Sequence, residues 1–206
     1  MSRSRILLIL FFLLGSISIF VMSLHYFDDV ESGVSYSAQI FNHLLKVHIV
    51  GGMLAIFTGP FQFIGKLRRS KAHKTLGYIY TLGVYIGSTT GVIIATQAMG
   101  GIVAKTGFFA LAIVWFYCNT LGIKYAIQGD YTQHGKWMLR CFALTFSSIT
   151  QRTMLLFAFL PIISFSTVYQ ISAWASWVFN LLLLAYFERR RTSIRRRHLS
   201  PVLELK

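Results

Sequence analysis

The stretch His48-Ile-Val-Gly-Gly-Met-Leu-Ala-Ile-Phe-Thr-Gly-Pro-Phe-Gln-Phe-Ile-Gly-Lys-Leu-Arg-Arg69 decides the class of this chain. It is apolar with one polar seam, and it ends in cations. As a helix it carries His48, Gly52, Ala55, Gly59 and Gln62 at steps of three and four, so these residues share one face. The remaining faces are Ile, Val, Leu, Met and Phe. A helix that is greasy on most sides and polar along one strip suits a bilayer, with the strip turned toward sister helices.

Working outward, the same pattern recurs. An apolar run at 6–24 follows Arg3 and Arg5. It is longer than a secretory h-region and has no small-residue cleavage site, so it reads as a retained first span. Helix two covers roughly 46–64, with a kink expected at Gly59-Pro60. Helix three covers roughly 76–99 and places Gly83, Gly87, Gly91 and Ala95 four apart, a stripe that lets backbones approach closely. Helix four runs at 106–125 after a Gly100-Gly101 turn, helix five at 137–160 up to Pro161, and helix six at 164–187. A basic tail occupies 188–206. The expected fold is all-α: a single integral membrane domain over 1–206 with six transmembrane helices, a four-helix core at 46–160, and helices one and six outside it for want of a polar stripe.

Composition agrees. The 206 residues are 55% hydrophobic and only 13% charged, with a mean hydropathy of +0.60. A soluble domain carries about 25% charged residues. The net charge of +14 and pI near 10.2 do not point to nucleic acid, because the cations sit between apolar runs. They suit anionic lipid head groups and membrane topology. With both termini cytoplasmic, Arg3, Arg5, the loop cations Lys66, Arg68, Arg69, Lys71 and Lys74, then Lys124, Lys136, Arg140 and the tail all fall inside. Only Lys46 and Lys105 fall outside. The bias predicts a multi-pass inner-membrane protein in that orientation. Cys118 and Cys141 lack any C-x-x-C partner and read as small hydrophobes.

Three groups of residues can carry chemistry. On helix five, His134, Met138, Cys141, Thr145, Ser148 and Arg152 form one continuous face. Arg152 lies deep in the span, where a guanidinium must face the bundle interior or a cavity; it either bonds backbone carbonyls and holds the bundle together or binds an anionic group. Gln151 and His48 lie toward the same outer half. His73 and His134 sit at matched depth at the inner ends of helices three and five. Two such imidazoles, with Gly77 nearby, are what bis-histidine ligation of haem b needs, with Arg69, Arg140 and Arg152 as anion contacts for propionates. The bland alternative keeps both histidines as interfacial caps or head-group contacts. His48 has no equally deep partner histidine, so no second haem is expected there. No hydrolase, zincin or nucleotide-binding pattern occurs.

The blocks G-G-M-L-A-I-F-T-G-P-F-Q-F (51–63), R-x-x-x-H-K-T-L-G-Y-I-Y (69–80) and H-G-K-W-M-L-R-C-F-A-L-T (134–145), with the Gln151-Arg152 pair, resemble the bacterial multi-pass membrane family catalogued as domain of unknown function 2306. The resemblance implies a membrane location and no activity. In architecture alone the chain is similar to b-type cytochrome and ferric-reductase-like bundles, from which it departs by lacking the complete histidine pairs of their two-haem members. Three readings stand: a haem-binding electron carrier using His73 and His134; a small transporter or lipid- or small-molecule-binding protein with Arg152, Gln151, Gln62 and His48 around a cavity; and a structural or assembly subunit that oligomerises or meets a membrane partner.

Overall fold

A computed structural model describes residues 14–21, 24, 36–68, 70–159 and 163–203, with side chains described except at 36–38 and 191–203. Among the described residues the structure is helical and without strands. Helix α1 covers 14–21. Helix α2 is Tyr36–Thr58, continued by a 3-10 turn at Gly59–Phe63. Helices α3 (Lys71–Ala95), α4 (Gly101–Ile127), α5 (Tyr131–Thr145) and α6 (Ser147–Leu155) follow, then a 3-10 turn at Leu156–Phe159 and the long α7 (Phe165–Leu203). The stretches Gln39–Phe63, Lys71–Ala95, Gly101–Ile127 and Phe165–Arg190 are long and apolar enough to cross a membrane.

The boundaries have local causes. Pro60 lacks an amide hydrogen and turns the end of α2 into the tighter 3-10 geometry, where the kink was expected. Ser70 caps α3, its Oγ accepting from the His73 backbone N–H, so α3 starts five residues before the apolar pattern begins. Asp130 caps α5 by accepting from Thr132 and Gln133 N–H, which places His134 inside the helix. Gly100 and Gly101 take φ values of 82° and 69° and turn the chain from α3 into α4.

Helix five is not the single rod expected over 137–160. It breaks at Phe146 into α5 and α6. The run Thr145-Phe-Ser-Ser explains this. Ser147 Oγ donates to Leu144 O, Ser148 Oγ donates to Thr145 O at 3.0 Å, and Asn180 of α7 donates to Ala143 O at 3.1 Å. Side-chain donors that compete for helix carbonyls loosen the ladder.

Helices α2 and α3 pack with almost no side chain between them. A Cβ at Gly51 would lie 2.7 Å from Gly87 N, and one at Gly83 would lie 2.7 Å from Gly51 O. Helix α4 packs on α3 and α5, and α7 packs on α4, α5 and α6. The buried centre holds Ala55, Tyr80, Val84, Trp115, Cys118, Cys141, Phe142, Leu144 and Trp177. The last helix belongs to this core: Ser172, Ser176 and Asn180, four apart, are all buried. The expectation that this helix lacks a buried polar stripe is therefore corrected. The stripe consists of small hydroxyls and one amide, residues that let helices approach and then bond across the contact.

Candidate functional site

Because α3 and α5 run in the same direction, the bundle has a Ser70 end, where both begin, and a Gly100 end. The candidate residues separate between these ends. A cavity of roughly 590 Å³ extends from Gln97, Ala98 and Met99 at the Gly100 end down to Trp115 and Thr145. Measured along α4, Gly101 to Trp115 is about 21 Å at 1.5 Å per residue. His48, Gln151 and Arg152 all line it, together with the Gly52, Gly87 and Gly91 surfaces. The sequence grouped these three polar residues in one half of the bundle, and the fold brings them to one space.

His48 and Arg152 are each held by a specific contact. His48 Nδ1 lies 2.8 Å from Gly87 O, with Thr90 Oγ1 at 3.4 Å. A carbonyl oxygen only accepts, so Nδ1 carries the proton and Nε2 keeps its lone pair. Gly91 makes room for the ring, since a Cβ there would meet His48 Cε1 at 3.3 Å. Arg152 Nη1 donates to Ser148 O at 3.1 Å, one turn back, which steadies the guanidinium in the wall.

The floor is a hydrogen-bonded cluster that joins Cys141 and Thr145, members of the polar face read on helix five, to Tyr80 and Trp115, which the sequence did not single out. Thr145 Oγ1 donates to Cys141 O and accepts from Trp115 Nε1, both at 3.0 Å. With that proton committed, the Tyr80 hydroxyl, 2.9 Å away, donates to Thr145 and also reaches Cys141 Sγ at 3.3 Å. Tyr80 is 1% exposed. The cluster ties α3, α4 and α5 together under the cavity. Ser176 Oγ, in the wall, is buried and has no hydrogen-bond partner. Tyr80 and Trp115 read as ordinary apolar aromatics in the sequence; only the spacing of four between Ser172, Ser176 and Asn180 offered a signal.

At the Ser70 end, His73 lies in the first turn of α3 and His134 in the first turn of α5. His134 Nδ1 lies 2.8 Å from Gly122 O, which again assigns the proton to Nδ1 and leaves Nε2 as the acceptor. His73 Nδ1 and Gln62 Nε2 are buried without a partner. Gln62 Oε1 would stand 3.5 Å from a Cβ on Gly77. Gln62 thus stands at the Ser70 end beside Gly77 of α3, away from the residues that line the Arg152 cavity. Arg140 forms an ion pair with Glu188 at 3.3 Å and lies 4.9 Å from the centre of the Trp137 ring, linking α5 to α7. Arg69 lies outside the described residues. Among the described residues, no three His, Cys, Asp or Glu side chains cluster as a metal site would require.

The family model described as "Predicted membrane protein (DUF2306)" matches residues 45–187. The chain belongs to that family. The matched segment contains His48, Gln62, His73, His134, Gln151 and Arg152 and all or most of each of the four spanning-length helices among the described residues, so the chain is a multi-pass membrane protein whose greasy outer surfaces face lipid. No curated protein and no solved structure matches it.

Proposed function

We propose that this DUF2306 protein binds a small molecule inside the membrane, in the cavity around Arg152, as a carrier or small transporter. The observation that carries the reading is the convergence of His48, Gln151 and Arg152 on one cavity of roughly 590 Å³. That volume falls within the ~300–1,000 Å³ of small-molecule sites, and the composition fits: mostly apolar walls with a few convergent polar groups. An intramembrane arginine marks a site by default, and an anionic group on the ligand is its matching chemistry.

The topology reading accompanies it. Six spans cross the inner membrane, α5 and α6 forming one broken span, with the Ser70 end and both termini cytoplasmic. The support is the cation bias: Lys66, Arg68, Lys71 and Lys74 lie at one end, and Lys105 is near the other.

Native mass spectrometry of the full chain in detergent tests the binding reading. Wild type is expected to retain a bound small molecule. Arg152→Ala is expected to lose at least 90% of it, and His73→Ala to keep it. Retention by Arg152→Ala ends the reading.

A second reading rests on the other end. There His134 Nε2 is freed by the Nδ1–H bond to Gly122 O, and His73 Nδ1 and Gln62 Nε2 are buried without partners. A backbone carbonyl behind a histidine is the usual second contact of a ligating imidazole. The donor set fits bis-histidine haem b, with His73 and His134 as the residues that would hold the iron. Haem would supply one-electron transfer. Arg140 is engaged by Glu188 and is a poor propionate contact in this arrangement. A dithionite-reduced spectrum whose α-band disappears in both His73→Ala and His134→Ala is the expected result; an unchanged band in either variant refutes it.

A further inference from the structure

We infer that the ligand of the Arg152 cavity is an anionic amphiphile with an unbranched aliphatic chain, its head at Arg152 and its chain running down to the floor at Trp115 and Leu144. The inference rests on the cavity reading above and names the class of ligand. It is carried by how polarity is distributed along the depth of the cavity.

Polar groups gather in a belt halfway down. Arg152 stands seven residues beyond Thr145 of the floor, hence about 10 Å above it at 1.5 Å per residue. Tyr169 marks the Gly100 end, since a Cβ on Gly100 would meet its ring at 3.2 Å. Ser176 lies seven residues further along α7, about 10 Å down from that end. With the floor about 21 Å down, Ser176 and Arg152 share one depth. His48 reaches the same zone, held between Gly87 and Gly91, one to two turns below Ala95. Ser176 is 1% exposed, and its Oγ has no hydrogen-bond partner in a wall that also holds Gln151 and Arg152. A buried hydroxyl without a partner is costly, and a ligand oxygen at this depth would supply one. The planar fork of Arg152 matches a carboxylate or phosphate head.

Below the belt the cavity turns apolar. Gly52 and Ile56 stand one and two turns deeper than His48 on α2, and Trp115 and Leu144 face the same space. The polar atoms of the floor are committed to one another: Thr145 Oγ1 donates to Cys141 O and accepts from Trp115 Nε1 and the Tyr80 hydroxyl. The Trp115 ring covers the α3 backbone at Gly87, where a Cβ would meet its Cζ3 at 2.9 Å. The recess therefore lies over α2, at Gly52, where no atom stands within 4 Å of a Cβ position. A small polar molecule would leave these walls without contacts. A narrow, flexible hydrocarbon chain fills them. An extended chain advances about 1.2 Å per bond, so a depth of about 10 Å holds roughly eight carbons.

The test uses the full chain held in amphipol, so that no free micelles compete, titrated with straight-chain saturated carboxylates from butyrate to palmitate. Wild-type affinity is expected to rise about fourfold per added methylene, the scale of one buried CH₂, and to stop rising near octanoate. Gly52→Leu, which fills the recess without meeting the backbone of α3, is expected to move that limit to a shorter chain. Arg152→Ala is expected to weaken octanoate about tenfold, the scale of one charge-assisted contact. Methyl octanoate, which lacks the charge, is expected to bind wild type as weakly. Octyl phosphate is the second probe: the same length limit with either head supports the inference, and the tighter of the two names the head. An affinity that climbs through to palmitate overturns it, as does a limit unmoved by Gly52→Leu or equal binding of the methyl ester. These failures are separable from failure of the cavity reading. Butyrate bound as tightly as octanoate, and lost in Arg152→Ala, would keep the cavity and its anion and remove the chain. Octanoate retained in full by Arg152→Ala would end both.

Discussion

Adjacent glycines in the first quoted stretch have opposite duties. A methyl group on Gly51 would fall 2.7 Å from Gly87 N, into backbone that cannot yield, whereas Gly52 faces open space. Gly51→Leu is therefore expected to force α2 from α3 and cost about 1–3 kcal/mol, the usual scale of overpacking. Gly52→Leu is expected to leave stability within about 0.5 kcal/mol and to reduce cavity binding at least tenfold. Thermal unfolding in detergent, paired with ligand retention by mass, checks both. Equal destabilisation by the two changes would refute the assignment of faces. Tyr80 makes a related point about polar atoms in a core. Its hydroxyl completes the cluster with Thr145 and Cys141, so Tyr80→Phe is expected to cost about 1 kcal/mol, the net value of a typical intramolecular hydrogen bond.

At the scale of elements, the break between α5 and α6 and the docking of α7 are one arrangement. Asn180 donates to Ala143 O before the break and accepts from Thr150 Oγ1 after it, both at 3.1 Å. One side chain thus clamps both halves of the broken helix to α7. Asn180→Leu removes both bonds at similar volume. Interhelical hydrogen bonds in membranes average about 0.6 kcal/mol, so a loss of roughly 1–2 kcal/mol is expected. The measurement is unfolding in a mixed-detergent titration. The sharper sign is increased proteolysis or hydrogen exchange at 146–155 in the variant, since α6 would lose its anchor to α7. Exchange unchanged in that segment would show that packing alone holds it. The break itself was not legible as a boundary. Ser148 was visible as a polar member of a helical face, but a hydroxyl can face a ligand, a partner or its own backbone, and the sequence does not rank these.

For the whole molecule, the two ends carry different chemistry. The Gly100 end holds the cavity with His48 and Arg152; the Ser70 end holds Gln62, His73 and His134 amid Lys66, Arg68, Lys71 and Lys74. If the Ser70 end is cytoplasmic, a cysteine placed at Lys74 in a Cys118→Ala, Cys141→Ala background is labelled by an impermeant maleimide only after the cells are opened. One placed at Lys105 is labelled in intact cells. The reverse pattern would invert the protein and put the Arg152 cavity on the cytoplasmic side.

Much of this architecture was readable from residues alone, because the bilayer sets a simple rule. An apolar helix of spanning length, small residues four apart, and a helix-ending proline each have one economical reading, and α2, α3 and α4 follow it. So did the company of His48, Gln151 and Arg152, since intramembrane polar groups must turn inward together. Other features depended on contacts between residues far apart in the chain. Gln62 shared a helical face with His48, yet it stands in the turn that ends α2, at the opposite end of the bundle, beside Gly77 of α3. The place of α7 in the core, the Tyr80–Thr145–Trp115 floor and the tautomers of His48 and His134 follow from which carbonyl or hydroxyl a neighbouring helix presents. Periodicity reports which side of a helix is polar. Only the packed bundle determines what that side meets.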